Sequence, residues 1–225
     1  MRPIKTAVLI AALALAAGLL VPSVQAAGAA PHTLPAVAAR TVAVDVDGDA
    51  VADTVTITPL AATSYSVAVQ TADGEVASAT VHSTIAGDWG VEPWYGAARL
   101  DGVRGHELLL LTSGGDGVMF RVLTWRSGTL VLEGAPRSLA KGAYDWYLAD
   151  LDQVRFGYRF STRDGRRFVK DVELFASGSR WKGTIVTSVW RAGAWRRTAT
   201  KKVSLTASQA AAYRGLAGVT VVAKP

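Results

Sequence analysis

The sequence predicts an all-β protein of short antiparallel sheets arranged in about three repeats. Three observations lead there. Apolar and polar residues alternate through TVAVDV, TVTITPL, YSVAVQ, VMFRVLTW and RRFVKDVELF, the period expected of strands with one covered face. The dipeptides Asp73-Gly74, Ser127-Gly128, Asp164-Gly165 and Ala192-Gly193 fall between such runs, where hairpins reverse. An aspartate-bearing segment also recurs, starting at Asp45, Arg99 and Asp150.

The N-terminus comes first in the chain. Arg2 and Lys5 precede the apolar run TAVLIAALALAAGLLV and the small-residue ending Val24-Gln25-Ala26, the layout of an export signal over residues 1–26. The run is shorter than the roughly 20 residues that cross a bilayer. Cleavage after Ala26 and an extracellular mature chain are therefore expected. Residues 27–39 (AGAAPHTLPAVAA) are small, apolar and proline-containing, and are expected to form a flexible tether. Residues 40–225 then make up the all-β domain. With no cysteine in the chain, stability outside the cell has to come from packing or from a metal.

Within the domain, further strands are expected at GEVASATVH, TLVLEG, YRFST, KGTIVTSVW and RRTATKKVSL. One short C-terminal helix is expected after Thr206-Ala-Ser-Gln209, a capping-box pattern, with Gly215 as its stop and VTVVA as a last strand. Charge is divided. Residues 27–120 carry 3 basic and 11 acidic side chains, whereas residues 121–225 carry 19 basic and 7 acidic ones.

The recurring segment is the most informative motif. Asp45-Val-Asp47-Gly48-Asp49-Ala50-Val51-Ala52-Asp53 aligns with Arg99-Leu-Asp101-Gly102-Val103-Arg104-Gly105-His106-Glu107, and a poorer copy runs from Asp150 to Arg155. The D-x-D-x-D-x-x-x-D spacing resembles the calcium loops of FG-GAP and VCBS repeat proteins, which build integrin-type β-propellers. Ala50 stands where that family places glycine. The resemblance implies a partial β-propeller-like arrangement. Three units are fewer than the four to eight blades of closed rings, so a sandwich or barrel is the alternative.

Calcium takes six to eight oxygens at about 2.3–2.6 Å, which a short turn supplies when carboxylates recur every second residue. Asp45, Asp47, Asp49, the Val51 carbonyl and Asp53 are accordingly the expected ligands, with Gly48 letting the backbone bend. The bland alternative is a solvated Asp-rich turn. In the second copy Arg99 and Val103 replace ligand residues, so no metal is expected there or in the third.

Catalysis is not expected. There is no cysteine nucleophile, only His32, His82 and His106 are available as bases, and no GxSxG, HExxH or phosphate-binding glycine loop occurs. The rival reading is a small secreted hydrolase built on paired carboxylates drawn from Glu92, Glu107, Asp116, Asp171 and Glu173. Two partner-binding surfaces are also candidates. Trp89, Trp94 and Tyr95 lie in the loop GDWGVEPWYG, where exposed rings would meet a sugar or a protein partner. Arg163, Arg166 and Arg167 head a basic stretch suited to an anionic cell-envelope polymer, nucleic acid being an unlikely partner outside the cell. The expected function is a calcium-stabilised, secreted, non-catalytic binding or structural module.

Overall fold

The chain divides into Met1–Thr33 and Leu34–Pro225, and this computed structural model describes residues 39–61, 63–84, 93–136 and 145–225. The expected export signal and most of the expected tether lie outside the described residues, as does Trp89.

The strands form three consecutive antiparallel meanders. The first comprises β1 (Arg40–Val44), β2 (Asp53–Ala61), β3 (Ser64–Gln70) and β4 (Val76–His82), hydrogen-bonded in that order. The sequence alternation is realised here: Val55, Ile57, Val67 and Val69 point inward while their neighbours are open to solvent. The second meander is β5 (Trp94–Ala98), β6 (Glu107–Ser113), β7 (Val118–Arg126) and β8 (Thr129–Glu133). The third is β9 (Trp146–Asp150), β10 (Val154–Arg163), β11 (Arg166–Ser177), β12 (Arg180–Arg191) and β13 (Ala194–Leu205).

The last two meanders are not separate sheets. β7 pairs with β8 through Val122–Arg126 and with β9 through Val118–Phe120, which joins them into one ten-stranded sheet whose main path runs from β5 to β13, with β8 and the short strand Leu216–Ala217 off that path. No closed barrel forms among the described residues. The turns at Ser127-Gly128, Asp164-Gly165 and Ala192-Gly193 have both residues at positive φ, as two-residue type I′ hairpins require.

The middle meander is covered on both faces. Leu108 and Leu110 pack with Val55, Val67, Trp94 and Trp125 in a core shared with the first sheet. Leu109 points the other way, into a core with Phe120, Trp146, Tyr158, Phe160 and Trp195. β6 therefore reads as an unbroken apolar run, ELLLL, instead of an alternating one.

The helix α1 (Ala207–Ala211) has the expected capping box: the Thr206 hydroxyl accepts from the Gln209 amide, and the Gln209 side chain accepts from the Thr206 amide. It buries Ala210, and with Tyr213 closes a third core over Val172, Leu174 and Ile185. The expected last strand VTVVA does not form as such. Leu216–Ala217 (β14) pairs parallel to β10, and the tail then binds β5 by a single bridge in which Ala97 and Val222 exchange both backbone hydrogen bonds. This tail covers β5, whose edge would otherwise be open to pairing with another chain.

Leu109→Ala removes a fully buried side chain from the second core. Chemical denaturation should show a loss of about 2–5 kcal/mol, with the slope unchanged.

Candidate functional site

The first loop, residues 45–52, joins β1 to β2, and its side chains converge as alternation requires. One carboxylate oxygen each from Asp45, Asp47 and Asp49 lies within 4.8 Å of the others. Each of the three also holds a loop amide: Asp45 Oδ1 accepts from Gly48 N at 2.7 Å, Asp47 Oδ1 from Asp49 N at 3.0 Å, and Asp49 Oδ1 from Val51 N at 2.6 Å. Gly48 has φ +86° and Ala50 has φ +73°. Ala50 is thus held in the left-handed region that glycine adopts freely, so its side chain makes the turn more costly. The Asp47 carboxyl is pushed above the usual range, first by partial burial and then by repulsion from Asp53, Asp49 and Asp45, against the stabilising Asp49 amide.

Asp53 does something different from the role expected of it. Its side chain is turned inward, 1% exposed, with Oδ2 accepting from Val46 N at 2.7 Å and Oδ1 from Ala72 N at 2.9 Å. It closes the loop onto β2 and the β3–β4 turn and is not part of the three-carboxylate cluster. Val51 is exposed at the loop's outer rim.

The second loop, between β5 and β6, repeats this construction. Glu107 Oε2 accepts from Leu100 N at 2.5 Å just as Asp53 accepts from Val46 N, Asp101 Oδ1 accepts from Val103 N as Asp47 accepts from Asp49 N, and Gly102 has φ +81°. The two loops pack against each other. His106 N donates to the Asp45 carbonyl at 3.0 Å, with His106 Nδ1 2.8 Å from the same oxygen. A Cβ on Gly105 would collide with the Val46 carbonyl, and one on Gly48 with Arg104. Arg99 brings its guanidinium to 3.7 Å from Asp45 Oδ2. In the third copy Asp150 is engaged by Arg155 and Arg214.

A cluster that the sequence did not reveal lies behind the second loop. Oxygens of Asp101, Glu107 and Glu133 lie within 4.8 Å of one another, and all three residues are buried. Arg126 bridges them from one side, contacting Asp101 and approaching Glu107 Oε1 to 3.8 Å. The Thr124 hydroxyl reaches Glu107 Oε1 at 3.4 Å. Desolvation, then repulsion by Asp101, raises the Glu107 carboxyl to about 8. Desolvation and its acidic neighbours raise Glu133 strongly as well.

The other candidates separate. Trp94 is fully buried in the first core with its indole N–H bonded to the Ala223 carbonyl, so it is closed to a partner. Tyr95 is half-buried and stacks on Phe120 with centroids 5.7 Å apart. Arg167 donates from Nε to the Leu100 carbonyl at 2.8 Å and from Nη2 to the Arg99 carbonyl at 2.9 Å, with its guanidinium over Phe160. It is a brace for the second loop, not a free cation. Arg163 and Arg166 face each other across the exposed β10–β11 turn. Of the candidate catalytic acids, Glu92 lies outside the described residues. Glu107 does meet other carboxylates, but in the core, and the surface pockets around Asp150 and around His82 do not include it.

No protein-family model matches this sequence, and neither a curated protein nor a solved structure matches the chain. No helix among the described residues is long and apolar enough to cross a membrane.

The raised Glu107 carboxyl sets a pH dependence opposite to ordinary acid denaturation. A carboxyl that titrates near 8 folded and near 4.3 unfolded stabilises fully below the lower value, and that stability drains away as pH rises through the upper one. With chelator present, the melting temperature should fall between about pH 5 and pH 8, and Glu107→Gln should flatten that slope. A melting temperature that climbs over the same range would contradict the assignment.

Proposed function

We propose that this chain is a secreted, non-catalytic binding or structural module of the FG-GAP/VCBS kind, in which a calcium ion orders the first loop. The observation that carries this reading is the convergence of Asp45, Asp47 and Asp49 at the loop's outer side. The ligands would be these three carboxylates and the Val51 carbonyl, with Asp53 holding the loop closed from inside. The ion would offset repulsion among carboxylates otherwise held by backbone amides and by Arg99, 3.7 Å from Asp45. Affinity in the range of extracellular modules, on the order of 10⁻⁴ to 10⁻³ M, fits a site so open to water.

The basic C-terminal half would supply the partner-binding surface, with anionic envelope polymers as the class of partner. Arg163 and Arg166 at the exposed turn, and Arg196, Arg197, Lys201 and Lys202 on edge strand β13, support this reading. Adjacent residues of a strand face opposite ways, so the β13 charges line both sides of the edge. The hydrolase reading has less support, because the carboxylates that do converge away from the loop are sealed in the core.

Two experiments test these points. At 10 mM calcium the native state should gain about 1.5–3 kcal/mol over a chelated sample, a rise of several degrees in melting temperature. Asp47→Ala should reduce the gain, and an equal gain in that variant would remove the ion from this loop. For the basic surface, Arg163→Glu with Arg166→Glu should release the protein from an anionic polymer column at lower salt. Arg167 is left intact because its loss would unseat the second loop. Unchanged elution would move the contact elsewhere.

A further inference from the structure

The cluster behind the second loop is built like a site, not merely like a group of acids. Glu133 is the last residue of β8 and is 3% exposed. Two indoles hold it from the third meander: Trp195 Nε1 donates to Glu133 Oε1 at 2.9 Å, and Trp146 Nε1 donates to its carbonyl at 3.2 Å. Its second oxygen, Oε2, is buried and has no hydrogen-bond partner. A buried, partnerless carboxylate oxygen beside two further carboxylates is costly unless a cation or a proton completes it.

We propose that Asp101, Glu107 and Glu133 enclose a second, buried cation site that takes a hard divalent ion. The donors are all oxygen, as calcium, magnesium and manganese prefer. The three oxygens lie within 4.8 Å of one another, close enough to meet at one ion. Charge agrees with this. Three carboxylates against the Arg126 guanidinium leave an excess that one dication balances, while Arg167, the other nearby cation, is committed to the carbonyls of Arg99 and Leu100. Thr124 Oγ1, beside Glu107, is a further neutral donor. The second loop was expected to be metal-free because Arg99 and Val103 replace its outer ligands. The proposed ion lies inside, reached by Glu133 from the next hairpin, and owes nothing to the first loop's site.

A variant with the outer loop silenced, Asp47→Ala with Asp49→Ala, isolates this site. It is unfolded in chelator, refolded with or without calcium, and desalted into chelator. Elemental analysis should then find about one equivalent of calcium retained only by the sample refolded with it, because a buried ion leaves no faster than the fold opens. Adding Glu133→Gln should drop that to background. Since that change could disturb folding, terbium provides an independent readout in the two-aspartate variant. Refolding with terbium should give emission sensitised through Trp195, with nearly equal lifetimes in H₂O and D₂O because no water reaches the ion. Absence of calcium and of terbium emission would mean that protons, not a metal, neutralise the cluster. A strongly solvent-dependent lifetime would place the ion on the surface. Either result overturns the proposal.

Discussion

One interaction recurs at the joints of this fold: a buried carboxylate takes the backbone amide that would otherwise be stranded where an incoming strand turns into a loop. Asp53 does this for Val46, and Glu107 for Leu100. A buried N–H without a partner costs about 1–3 kcal/mol. The carboxylate thus fixes where β1 ends relative to β2, and where β5 ends relative to β6. Once both loops have that shape, the Gly105–Val46 approach and the His106 contact to the Asp45 carbonyl become possible, and the two turns support each other.

The two joints have diverged in where they leave their excess negative charge. At the first, the extra carboxylates point outward, where water screens them and an ion from solution can reach them. At the second, Arg99 and Arg104 occupy the outer rim, and the excess lies inside between β6, β7 and β8. Around that charge stand Arg126, Thr124 and the Trp195 indole, while the Trp146 indole holds the Glu133 backbone. A disulfide-free domain has few other ways to tie distant segments, and polar groups held this way specify geometry that apolar packing alone leaves loose.

Much of the fold was legible in local pattern. The type I′ turns, the capping box at Thr206 and the alternation in β2 and β3 are written over a few adjacent residues, and the structure forms them as read. What escaped was non-local. The β7–β9 pairing that fuses two meanders depends on how hairpins dock, and the apolar run of β6 shows burial without naming the two layers that cover it. At the site, the spacing of Asp45, Asp47 and Asp49 announced their convergence. Asp53 carries the same residue type at a fitting interval, yet its inward turn depends on the Ala72 amide from another turn. Glu133 sits in TLVLEG with nothing to mark it, and only the approach of Trp195 and the second loop makes it part of a cluster. Arg167 looked like surface charge for the same reason: its carbonyl partners lie far away in sequence.

The inward carboxylates set where each loop begins, and the proposed calcium orders only the outer side of the first. Amide hydrogen exchange of Val46 and Leu100 in chelator tests this most directly. Both amides should exchange as slowly as the paired amides of β2 and β6, and Asp53→Ala should release Val46 to fast exchange while leaving Leu100 slow. Fast exchange of Val46 and Leu100 in the chelated wild-type protein, slowing only when calcium is added, would contradict it.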